Sequence, residues 1–382
     1  MRNVLFVVDE KQMGGVSVLL EDILKKLNFF KFNVDVMVLH NNGDYLDDLP
    51  KDVNVIYGSR FFDVVDLSIS EVIKTKNIFK ILKKIYLVFL LKTGLIKGKI
   101  KKERKKCIHK TYDTEVAFKD GFTALFTAYG DSKKKIHWLH TDYVMHDCTA
   151  KYHSLFERTF PLFDNIIGIS KSVVDRFNQV YPGIKCEVIY NLIDVKKIKK
   201  LSKENDIHLG DGINFVSCGR IHEMKGYDRL INVFHKLDEM DKLGLVTLTI
   251  IGDGPDFEKV KDLVSKYNLK DNVKLIGRRK NPYPYVKAAD AFLMCSRYEP
   301  FGLVVLESLV LGTPVISTEV ASIKEIMNED YGIITENSEE GLIKTISYVI
   351  DNPKVLDKYR ENLKTYEYDC DKIIKEIEEV LM

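Results

Sequence analysis

The feature that most constrains the fold is a series of short apolar runs separated by segments with helical period. The first run is Val4–Val8, and the helical pattern Val16–Leu27 follows it. Such short, continuously apolar runs are typical of buried parallel strands, and their alternation with helices predicts an α/β fold with doubly wound parallel sheets. The predicted strands are Val4–Val8, Val34–Leu39, Val53–Tyr57, Glu115–Phe118, Ile136–His140, Asn165–Ile169, Glu187–Tyr190, Ile213–Cys218, Leu245–Ile251, Val273–Ile276, Ala291–Met294, Val315–Ser317 and Ile333–Ile334.

Length and composition indicate two domains in a reducing compartment. The 382 residues exceed one ordinary domain, and the polar, lysine-rich stretch from Asp194 to Gly212 marks the boundary. A net charge of +2 gives no general reason to expect a nucleic-acid partner. The six cysteines form no C-x-x-C pair, which favours reduced cytosolic thiols over disulfides or a zinc site. No apolar stretch reaches membrane-spanning length, and the first apolar run is too short for a signal peptide.

The stretch Ser296–Ser308 predicts a ligand site after a buried strand. Glu299 falls in a strand-to-helix loop, and Glu307 falls about two turns into the helix that Gly312-Thr313-Pro314 ends. A helix N-terminus at the carboxyl edge of a parallel strand favours an anion such as phosphate. The two carboxylates are suited instead to accepting hydrogen bonds from sugar or ribose hydroxyl groups.

A pair of cations follows the first strand of the second domain. Arg220 comes directly after Ile213–Cys218 with Gly219 before it, and Lys225 precedes Gly226 and a helix. An Arg fork and a Lys point charge at a sheet edge can hold a diphosphate. Two loop cations paired with acids would be the ordinary alternative, but that alternative does not explain the flanking glycines.

Three further motifs in the second half are weaker. Gly252-Asp253-Gly254-Pro255 resembles half of a dinucleotide fingerprint but lacks the third glycine and the later acid. The loop Gly277–Asn281, with Arg278, follows a strand at a position where a nucleotide base can stack. Asp369-Cys370-Asp371 has the D-x-D spacing of a metal–nucleotide site, but it lies in a terminal helical region, where chance explains it better.

His140 is the candidate functional residue of the first half. It ends the strand Ile136–His140, so it is predicted to point into the crevice where such sheets bind ligands. A hydrogen-bonded edge histidine is the alternative, and neither Asp142 nor Asp147 nearby is diagnostic. The turn Gly14-Gly15 after the first strand lets backbone approach a ligand closely.

The segment Lys74–Lys110 is strongly basic, with fourteen Lys or Arg residues and one acid, Glu103. Its first half, Ile78–Leu91, is also apolar, and it is followed by what is predicted to be a polybasic loop, Lys97–Lys106. This combination favours contact with an anionic membrane leaflet. The alternative is a core helix with a solvated lysine face, and the lack of interleaved aromatic platforms disfavours nucleic acid.

In order along the chain, these motifs resemble glycosyltransferase family 4. Glu299 and Glu307, with seven residues between them, match the E-x7-E motif of that family. The resemblance spans nearly the whole chain and is specific in the second half, but thinner in the first. The motifs that carry it are Gly14-Gly15, His140, Gly219-Arg220, Lys225-Gly226, Gly252–Pro255, Glu299–Gly302 and Glu307.

The resemblance implies the GT-B architecture, which has two facing Rossmann-like domains with a cleft between them. It implies an acceptor-binding domain at 1–195, a nucleotide-sugar-binding domain at 196–360, and a C-terminal helix at 361–382 that crosses back to the first domain. It also implies retaining transfer from a nucleotide sugar with no cofactor and no required metal.

Residue roles are also implied by the resemblance. Arg220 and Lys225 would hold the donor's diphosphate, Glu307 the ribose, and Glu299 the donor sugar, which His140 would contact near the reacting centre. The implied catalytic residues are His140, Glu299, Arg220 and Lys225. The implied donor-binding residues are Gly15, Gly219, Arg220, Lys225, Gly254, Arg278, Glu299, Phe301, Gly302, Leu303 and Glu307.

The expected activity is therefore hexosyl transfer to a saccharide acceptor in bacterial surface-polysaccharide synthesis. The stretch Lys280–Tyr285 is similar to family members that use UDP-hexoses, which favours UDP over GDP. The expected partners are the nucleotide sugar, a lipid-linked saccharide and the inner face of the cell membrane, and nucleic acid is not expected. Two alternatives remain open: a nucleotide-sugar epimerase or phosphorylase on the same architecture, and a non-catalytic glycosyltransferase-like subunit.

Overall fold

A computed structural model gives the structure of residues 1–10, 15–40, 49–65, 67–144 and 155–382. The chain forms two compact units. The first comprises Met1–Ile193 together with Cys370–Met382, and the second comprises Asp194–Asp369. The sequence-based division placed the boundaries at 195 and 360. In the structure the second unit continues to Asp369, and only the residues from Cys370 onward return to the first unit.

The first unit contains a seven-stranded sheet of order β3-β2-β1-β4-β5-β6-β7. Every neighbouring pair is parallel. The order reverses between β1 and β4, and in such sheets the crevice at this switch point is where ligands bind. The strands are β1 (Arg2–Glu10), β2 (Phe32–His40), β3 (Asn54–Tyr57), β4 (Thr114–Ala117), β5 (Lys134–Leu139), β6 (Asn165–Gly168) and β7 (Glu187–Val188).

Helices cover both faces of this sheet, as buried parallel strands require. Those with described bounds are Gly15–Lys26, Ile69–Lys74, Ile78–Thr93, Ile96–Cys107, Phe122–Ala128, Lys171–Val180 and Cys370–Leu381. The last of these is joined to the unit by polar contacts. Thr114 Oγ1 donates to Leu381 O at 2.9 Å, and Lys31 Nζ lies 2.7 Å from Glu378 Oε2.

The second unit contains a six-stranded parallel sheet of order β10-β9-β8-β11-β12-β13. Its order reverses between β8 and β11. The strands are β8 (Ile213–Cys218), β9 (Val246–Ile251), β10 (Val273–Leu275), β11 (Ala291–Met294), β12 (Val315–Thr318) and β13 (Gly332–Thr335). The helices are Val195–Leu201, Tyr227–Glu239, Phe257–Lys266, Tyr283–Ala288, Leu303–Val310, Ile323–Ile326, Glu339–Asp351 and Val355–Leu363.

Every predicted strand is present, and the prediction of two doubly wound parallel sheets is confirmed. The ends differ by one or two residues, most at β1, which begins at Arg2 and continues to Glu10. Pairing with β2 over nearly its whole length explains the extension, because the flanking polar residues also enter the hydrogen-bonded ladder.

The prediction of a polybasic loop at Lys97–Lys106 is wrong, because these residues form the helix Ile96–Cys107. Ile96 and Ile100 are buried in the first unit's core. Arg104 is also buried, and its Nη2 lies 2.7 Å from Glu115 Oε1. The helix thus forms because its inward face is apolar and paired, although its sequence is dominated by lysines.

Several cations of the segment Lys74–Lys110 form ion pairs with acids of the same unit. Glu103 is only 2% exposed, and its carboxylate contacts Lys99 at 3.0 Å and Lys106 at 2.8 Å. Lys110 lies 2.8 Å from the buried carboxylate of Asp35. The positive charge that the segment presents outward is therefore smaller than its composition suggests.

The helix Ile78–Thr93 buries one lysine beside Leu87 and Leu90 and leaves most of its large apolar side chains exposed. Lys84 is 4% exposed, and its Nζ donates to Val64 O at 2.9 Å and to Val65 O at 3.2 Å. Large apolar side chains face outward instead. The exposed ones, here called the apolar stripe, are Ile78, Phe79, Leu82, Ile85, Tyr86 and Phe89, with exposures of 65, 78, 58, 61, 45 and 53%.

Candidate active site

The site is built at the switch point of the second unit's sheet. β8 and β11 are neighbours, with Ala291 opposite Phe215, so the loops that follow them emerge side by side at the carboxyl edge. The loop after β8 contains Arg220 and Lys225. The loop after β11 contains Glu299 and leads into the helix Leu303–Val310.

The loop after β8 ends in a tight turn. Glu223–Lys225 form one 3-10 turn, and Gly226 follows in the left-handed conformation with φ of +69°. A Cβ on Gly226 would lie 2.2 Å from Cys295 O. Glycine is needed here both for the backbone conformation and for the close approach of the two loops.

The structure brings Lys225 and Glu299 together. Lys225 Nζ lies 2.5 Å from Glu299 Oε2, and Glu299 is 7% exposed. Ser322 Oγ donates to Glu299 O at 2.7 Å, which holds the acid's backbone in place. The resemblance implies that these side chains bind different parts of the donor, and the structure places them in one ion pair.

The helix Leu303–Val310 begins at Gly302, which is left-handed with φ of +98°. Within the described part of the chain, no side chain caps its N-terminus. This N-terminus, with the positive end of the helix dipole, lies beside Glu299, whose Cγ would be 3.5 Å from a Cβ on Gly302. The buried Phe301 anchors the turn just before it.

Glu307 lies on the same helix, partly exposed. Its Oε1 accepts a hydrogen bond from Tyr283 OH at 3.2 Å. Burial, assisted by the nearby Glu307 carboxylate, raises the pKa of the Cys218 thiol at the end of β8 to about 12. The Cys218 thiol is therefore protonated and uncharged at physiological pH, and it does not act as a nucleophile.

The other predicted donor-binding residues of this unit surround the same edge. Arg220 is exposed, and among the described residues no ion pair engages it. Arg278 is exposed after β10. Gly219 directly follows β8, and a Cβ on Gly254 would lie 2.2 Å from Ile221 O. Gly254 thus has a packing role between two loops that its sequence motif did not reveal.

Sequence reasoning missed the residues that join the two loops. Arg297 forms a bidentate pair with Asp228, with Nη1–Oδ1 at 2.7 Å and Nη2–Oδ2 at 3.0 Å. Arg229 is 5% exposed and donates through Nη2 to Cys295 O at 2.5 Å and to Ser296 O at 2.9 Å. Arg297 lies inside the stretch that was singled out, but no sequence pattern marked its partner.

In the first unit, His140 follows β5 and is 8% exposed. Its ring meets Phe118 edge-on, 5.1 Å between ring centroids. Burial lowers the pKa of His140 to about 4, although the nearby Asp120 carboxylate opposes the shift. Its Nε2 is buried and has no hydrogen-bond partner within the part of the chain that the structure describes. A neutral imidazole with an unsatisfied nitrogen is suited to bonding a neutral hydroxyl.

Asp120 organises the segment around His140, and no sequence pattern marked it. Its Oδ2 accepts from His140 N at 2.9 Å and from Thr141 Oγ1 at 3.0 Å, and its Oδ1 accepts from Tyr143 OH at 2.6 Å. Asp142 instead faces Arg176, whose Nε lies 3.1 Å from its Oδ2. The structure therefore gives Asp142 a partner away from His140.

Three smaller predictions have different outcomes. Gly15 is the first residue of the helix Gly15–Lys26, whereas Gly14 and Asp147 lie outside the described residues. Cys370 of the D-x-D sequence begins the last helix, and its Sγ donates to Ile193 O at 3.3 Å. Across the described ranges, no three His, Cys, Asp or Glu side chains are grouped so as to hold a metal ion.

Comparisons with known proteins agree with this geometry. Residues 198–368 match the family model of glycosyl transferases, group 1. A Campylobacter jejuni relative is 27% identical over 71% of this chain and 76% of its own length: the N-acetylgalactosamine-N,N'-diacetylbacillosaminyl-diphospho-undecaprenol 4-alpha-N-acetylgalactosaminyltransferase. The Escherichia coli O-antigen biosynthesis glycosyltransferase WclY is 30% identical, but the match covers only 50% of this chain and 53% of WclY.

The fold of the whole chain is similar to that of Anabaena HepE, solved in complex with UDP and glucose. The TM-score is 0.72, the sequences are 18% identical, and the match covers 100% of this chain and 99% of HepE. Residues 198–368 of the chain are thus similar to the group 1 glycosyl transferases, and the chain has the GT-B fold.

Proposed function

We propose that the protein is a retaining hexosyltransferase of family 4. It would transfer the sugar of a nucleotide donor, preferably a UDP-hexose, to a lipid-linked saccharide acceptor. The process would be surface-polysaccharide synthesis, at the cytoplasmic face of the membrane. The observation that carries this proposal is the convergence of Lys225, Glu299 and an uncapped helix N-terminus at one sheet edge.

The donor's diphosphate binds at this edge in the proposal. Arg220 is exposed and supplies a guanidinium fork, and Lys225 supplies a second cation beside the amides of Leu303–Val310. Glu307 accepts hydrogen bonds from the ribose hydroxyls, next to the phenol of Tyr283. Glu299 accepts from a hydroxyl of the donor sugar.

The chemistry follows from where charge develops. As the glycosidic bond to the diphosphate breaks, negative charge grows on the leaving group, and fixed cations and amides stabilise it there. In the proposal these groups act without a metal. The acceptor hydroxyl attacks from the face that the diphosphate leaves and gives its proton to an oxygen of the departing diphosphate, so no protein nucleophile is required. His140, neutral because burial lowers its pKa to about 4, bonds a hydroxyl of the sugar.

Donor choice is tested with a panel of UDP and GDP sugars, by calorimetry and by release of the nucleoside diphosphate. Tight binding of at least one UDP sugar is the expected result. Replacing Arg220 or Lys225 with Ala should remove most turnover, because each side chain stabilises the negative charge that develops on the leaving diphosphate. Lys270→Ala is the matched control, since Lys270 is an exposed turn cation of the same unit with no assigned role. If no nucleotide sugar binds, the proposal is wrong.

The acceptor class rests on the relatives. The Campylobacter jejuni relative is named for an undecaprenol diphosphate-linked acceptor, and WclY for O-antigen biosynthesis. Radiolabelled transfer to undecaprenyl-diphosphate saccharides, with free oligosaccharides of the same sequence as controls, tests this part. Equal transfer to the free oligosaccharides would rule out a lipid requirement.

The membrane partner is supported by the apolar stripe as well as by charge. The stripe residues recur at positions i, i+1, i+4, i+7, i+8 and i+11 of the helix Ile78–Thr93, so they form one continuous face. Such a face, with exposed lysines beside it at Lys74, Lys76 and Lys92, is the pattern of a helix lying in a membrane interface. Among the described residues, no helix combines the length and apolar character needed to cross a bilayer.

The apolar stripe and the exposed lysines beside it predict a specific result in liposome binding. Burying one exposed Phe side chain contributes about 1.5 kcal/mol, or roughly a tenfold change in partitioning. Phe79→Ser and Phe89→Ser should therefore each weaken binding to vesicles containing anionic lipid by about that factor. Phe30→Ser is the matched control, because Phe30 is 93% exposed but lies in another turn of the same unit.

Two further measurements complete this test: vesicle binding at different anionic lipid contents, and the oligomeric state of the protein. Binding that ignores the anionic lipid content would contradict the role of the lysines. If the stripe variants change the oligomeric state in gel filtration and leave vesicle binding unaltered, the stripe covers a second copy of the chain. That result would exclude the membrane as its partner.

A further inference from the structure

Three consecutive carbonyl groups of the turn Glu223–Lys225 accept hydrogen bonds from the loop after β11. Arg297 Nη1 donates to Glu223 O at 2.6 Å, Arg297 N donates to Met224 O at 2.8 Å, and Cys295 Sγ donates to Lys225 O at 3.2 Å. A single residue, Arg297, provides two of these three donors. The turn that presents Lys225 is therefore fixed by a loop some seventy residues away in the sequence.

The guanidinium of Arg297 is oriented from its other side. Asp228, in the first turn of the helix Tyr227–Glu239, binds it with both carboxylate oxygens, at 2.7 and 3.0 Å. The hydrogen bond to Asp228 raises the pKa of Arg297. Burial opposes ionisation of Asp228, but the hydrogen bond and charge of Arg297 together lower the pKa of that acid. Both groups are thus held in their charged forms.

This arrangement leaves Arg297 unsuited to binding a phosphate itself. Its fork is divided between the carboxylate of Asp228 and the carbonyl of Glu223, and Asp228 already neutralises its charge. What it can do is hold the preceding turn, and with it Lys225, beside Glu299 and the N-terminus of Leu303–Val310.

We infer that Arg297 is a positioning residue for Lys225: together with Asp228 it sets where the Lys225 ammonium stands for the donor's diphosphate. This inference rests on the proposed function, which assigns the diphosphate to Lys225. Neither Arg297 nor Asp228 touches the ligand in this account. Their effect on donor binding passes through the backbone of the turn.

The chain offers a matched control in the same unit. Arg360 Nη2 lies 2.6 Å from Asp290 Oδ1, and the side-chain exposures in that pair, 37% and 31%, are close to the 35% and 23% of Arg297 and Asp228. Arg360 belongs to the helix Val355–Leu363 and makes no described bond to the turn. Each variant removes one partly exposed Arg–Asp ion pair, but only the loss of the Arg297–Asp228 pair should change the position of Lys225.

The experiment measures UDP affinity by calorimetry for the full chain and its variants. Arg297→Ala and Asp228→Asn should each raise the Kd for UDP about tenfold, and the double variant no further, because the two residues act as one unit. Arg360→Ala should leave the Kd within about twofold. The Kd of Arg297→Lys for UDP should lie between those of the unaltered chain and Arg297→Ala, since one ammonium cannot replace a guanidinium that bonds two acceptors.

Asp228→Asn also separates positioning from direct contact. If Arg297 bound the diphosphate itself, freeing it from Asp228 would preserve or tighten UDP binding. If Arg297 positions Lys225, the same change weakens UDP binding. Tighter binding by Asp228→Asn would therefore overturn the inference.

Hydrogen exchange supplies a readout that does not need a ligand. The Lys225 amide donates to His222 O at 2.8 Å and the Gly226 amide to Glu223 O at 3.0 Å. Both amides should exchange faster in Arg297→Ala than in Arg360→Ala. If they do so while the unaltered chain binds no nucleotide, the positioning stands and the proposed function fails. Unchanged exchange with unchanged UDP affinity would refute the positioning.

Discussion

Replacing Glu299 with Gln should affect UDP binding and sugar transfer in opposite directions. Glu299 contacts Lys225 at 2.5 Å and is assigned to the donor sugar. The substitution keeps the size and the hydrogen-bonding oxygen of the side chain but removes its charge. Lys225 then no longer has a carboxylate that competes with the diphosphate.

The magnitude follows from the geometry of the pair. For charges about 3 Å apart at an effective dielectric of about 20, the attraction is on the order of 5 kcal/mol. Lys225 is 31% exposed, so solvation and side-chain ordering offset most of this. A net contribution of about 1 kcal/mol remains, so UDP should bind Glu299→Gln about fivefold more tightly.

Turnover should fall at the same time. A hydrogen bond from a sugar hydroxyl to a charged acceptor contributes about 1.5–3 kcal/mol, so kcat/KM for the UDP sugar should decrease between about tenfold and a hundredfold. Calorimetry with UDP and initial rates with the UDP sugar measure the two effects separately. Glu319→Gln is the control, because Glu319 pairs with Lys324 on the exposed surface of the same unit.

The refuting result is a parallel loss. If UDP binding and turnover both decline in Glu299→Gln, as expected for Lys225→Ala, Glu299 serves to hold Lys225 in place. The sugar would then be bound by another residue, and the division of roles between Glu299 and Glu307 would be wrong.

Three further predictions follow from single features. Glu307→Ala should weaken UDP binding about tenfold by calorimetry, because the ribose loses a charged acceptor; the same loss in Glu340→Ala, on the exposed side of another helix, would contradict this. Gly226→Ala should destabilise the protein by at least about 2 kcal/mol in thermal unfolding, since the residue has φ of +69° and no room for a Cβ. Gly98→Ala, in a helix with no described atom within 4 Å of the new Cβ, should stabilise it by about 0.5–1 kcal/mol, and a change of the same sign in both variants would refute the argument. Burial lowers the pKa of His140 to about 4, below its unfolded value of about 6.5. The unfolded chain therefore binds the extra proton first, and stability is lost as pH falls from about 6.5 to about 4; in His140→Gln this loss should be smaller in denaturant titrations, and an unchanged pH profile would contradict it.

The strand series and the placement of the two acids could be predicted because both depend on local patterns. A buried parallel strand is apolar throughout, so each run was visible without knowledge of its neighbours. Glu299 in a loop and Glu307 in the helix Leu303–Val310 followed from the breakers on either side of the helix.

The contacts between distant residues could not be predicted in the same way. Lys225 and Glu299 are 74 residues apart, and Arg297 and Asp228 are 69 apart, so no periodicity links them. The helix Ile78–Thr93 shows a related failure. Its composition suggested lysines outward, but Lys84 is buried because the carbonyls of Val64 and Val65 happen to lie where its ammonium can reach them.

The return of the last helix to the first unit has a consequence for how the chain acquires its structure. The second unit is contiguous, so all of its residues have been synthesised once Asp369 has been added. The first unit cannot be completed until Cys370–Leu381 has followed, because Leu381 O accepts from Thr114 and Glu378 pairs with Lys31. The first unit is thus the later of the two to have all of its residues, although its synthesis begins first. A fragment of residues 194–369 has all the parts of its unit, whereas a fragment that stops at Ile193 lacks one helix of its own.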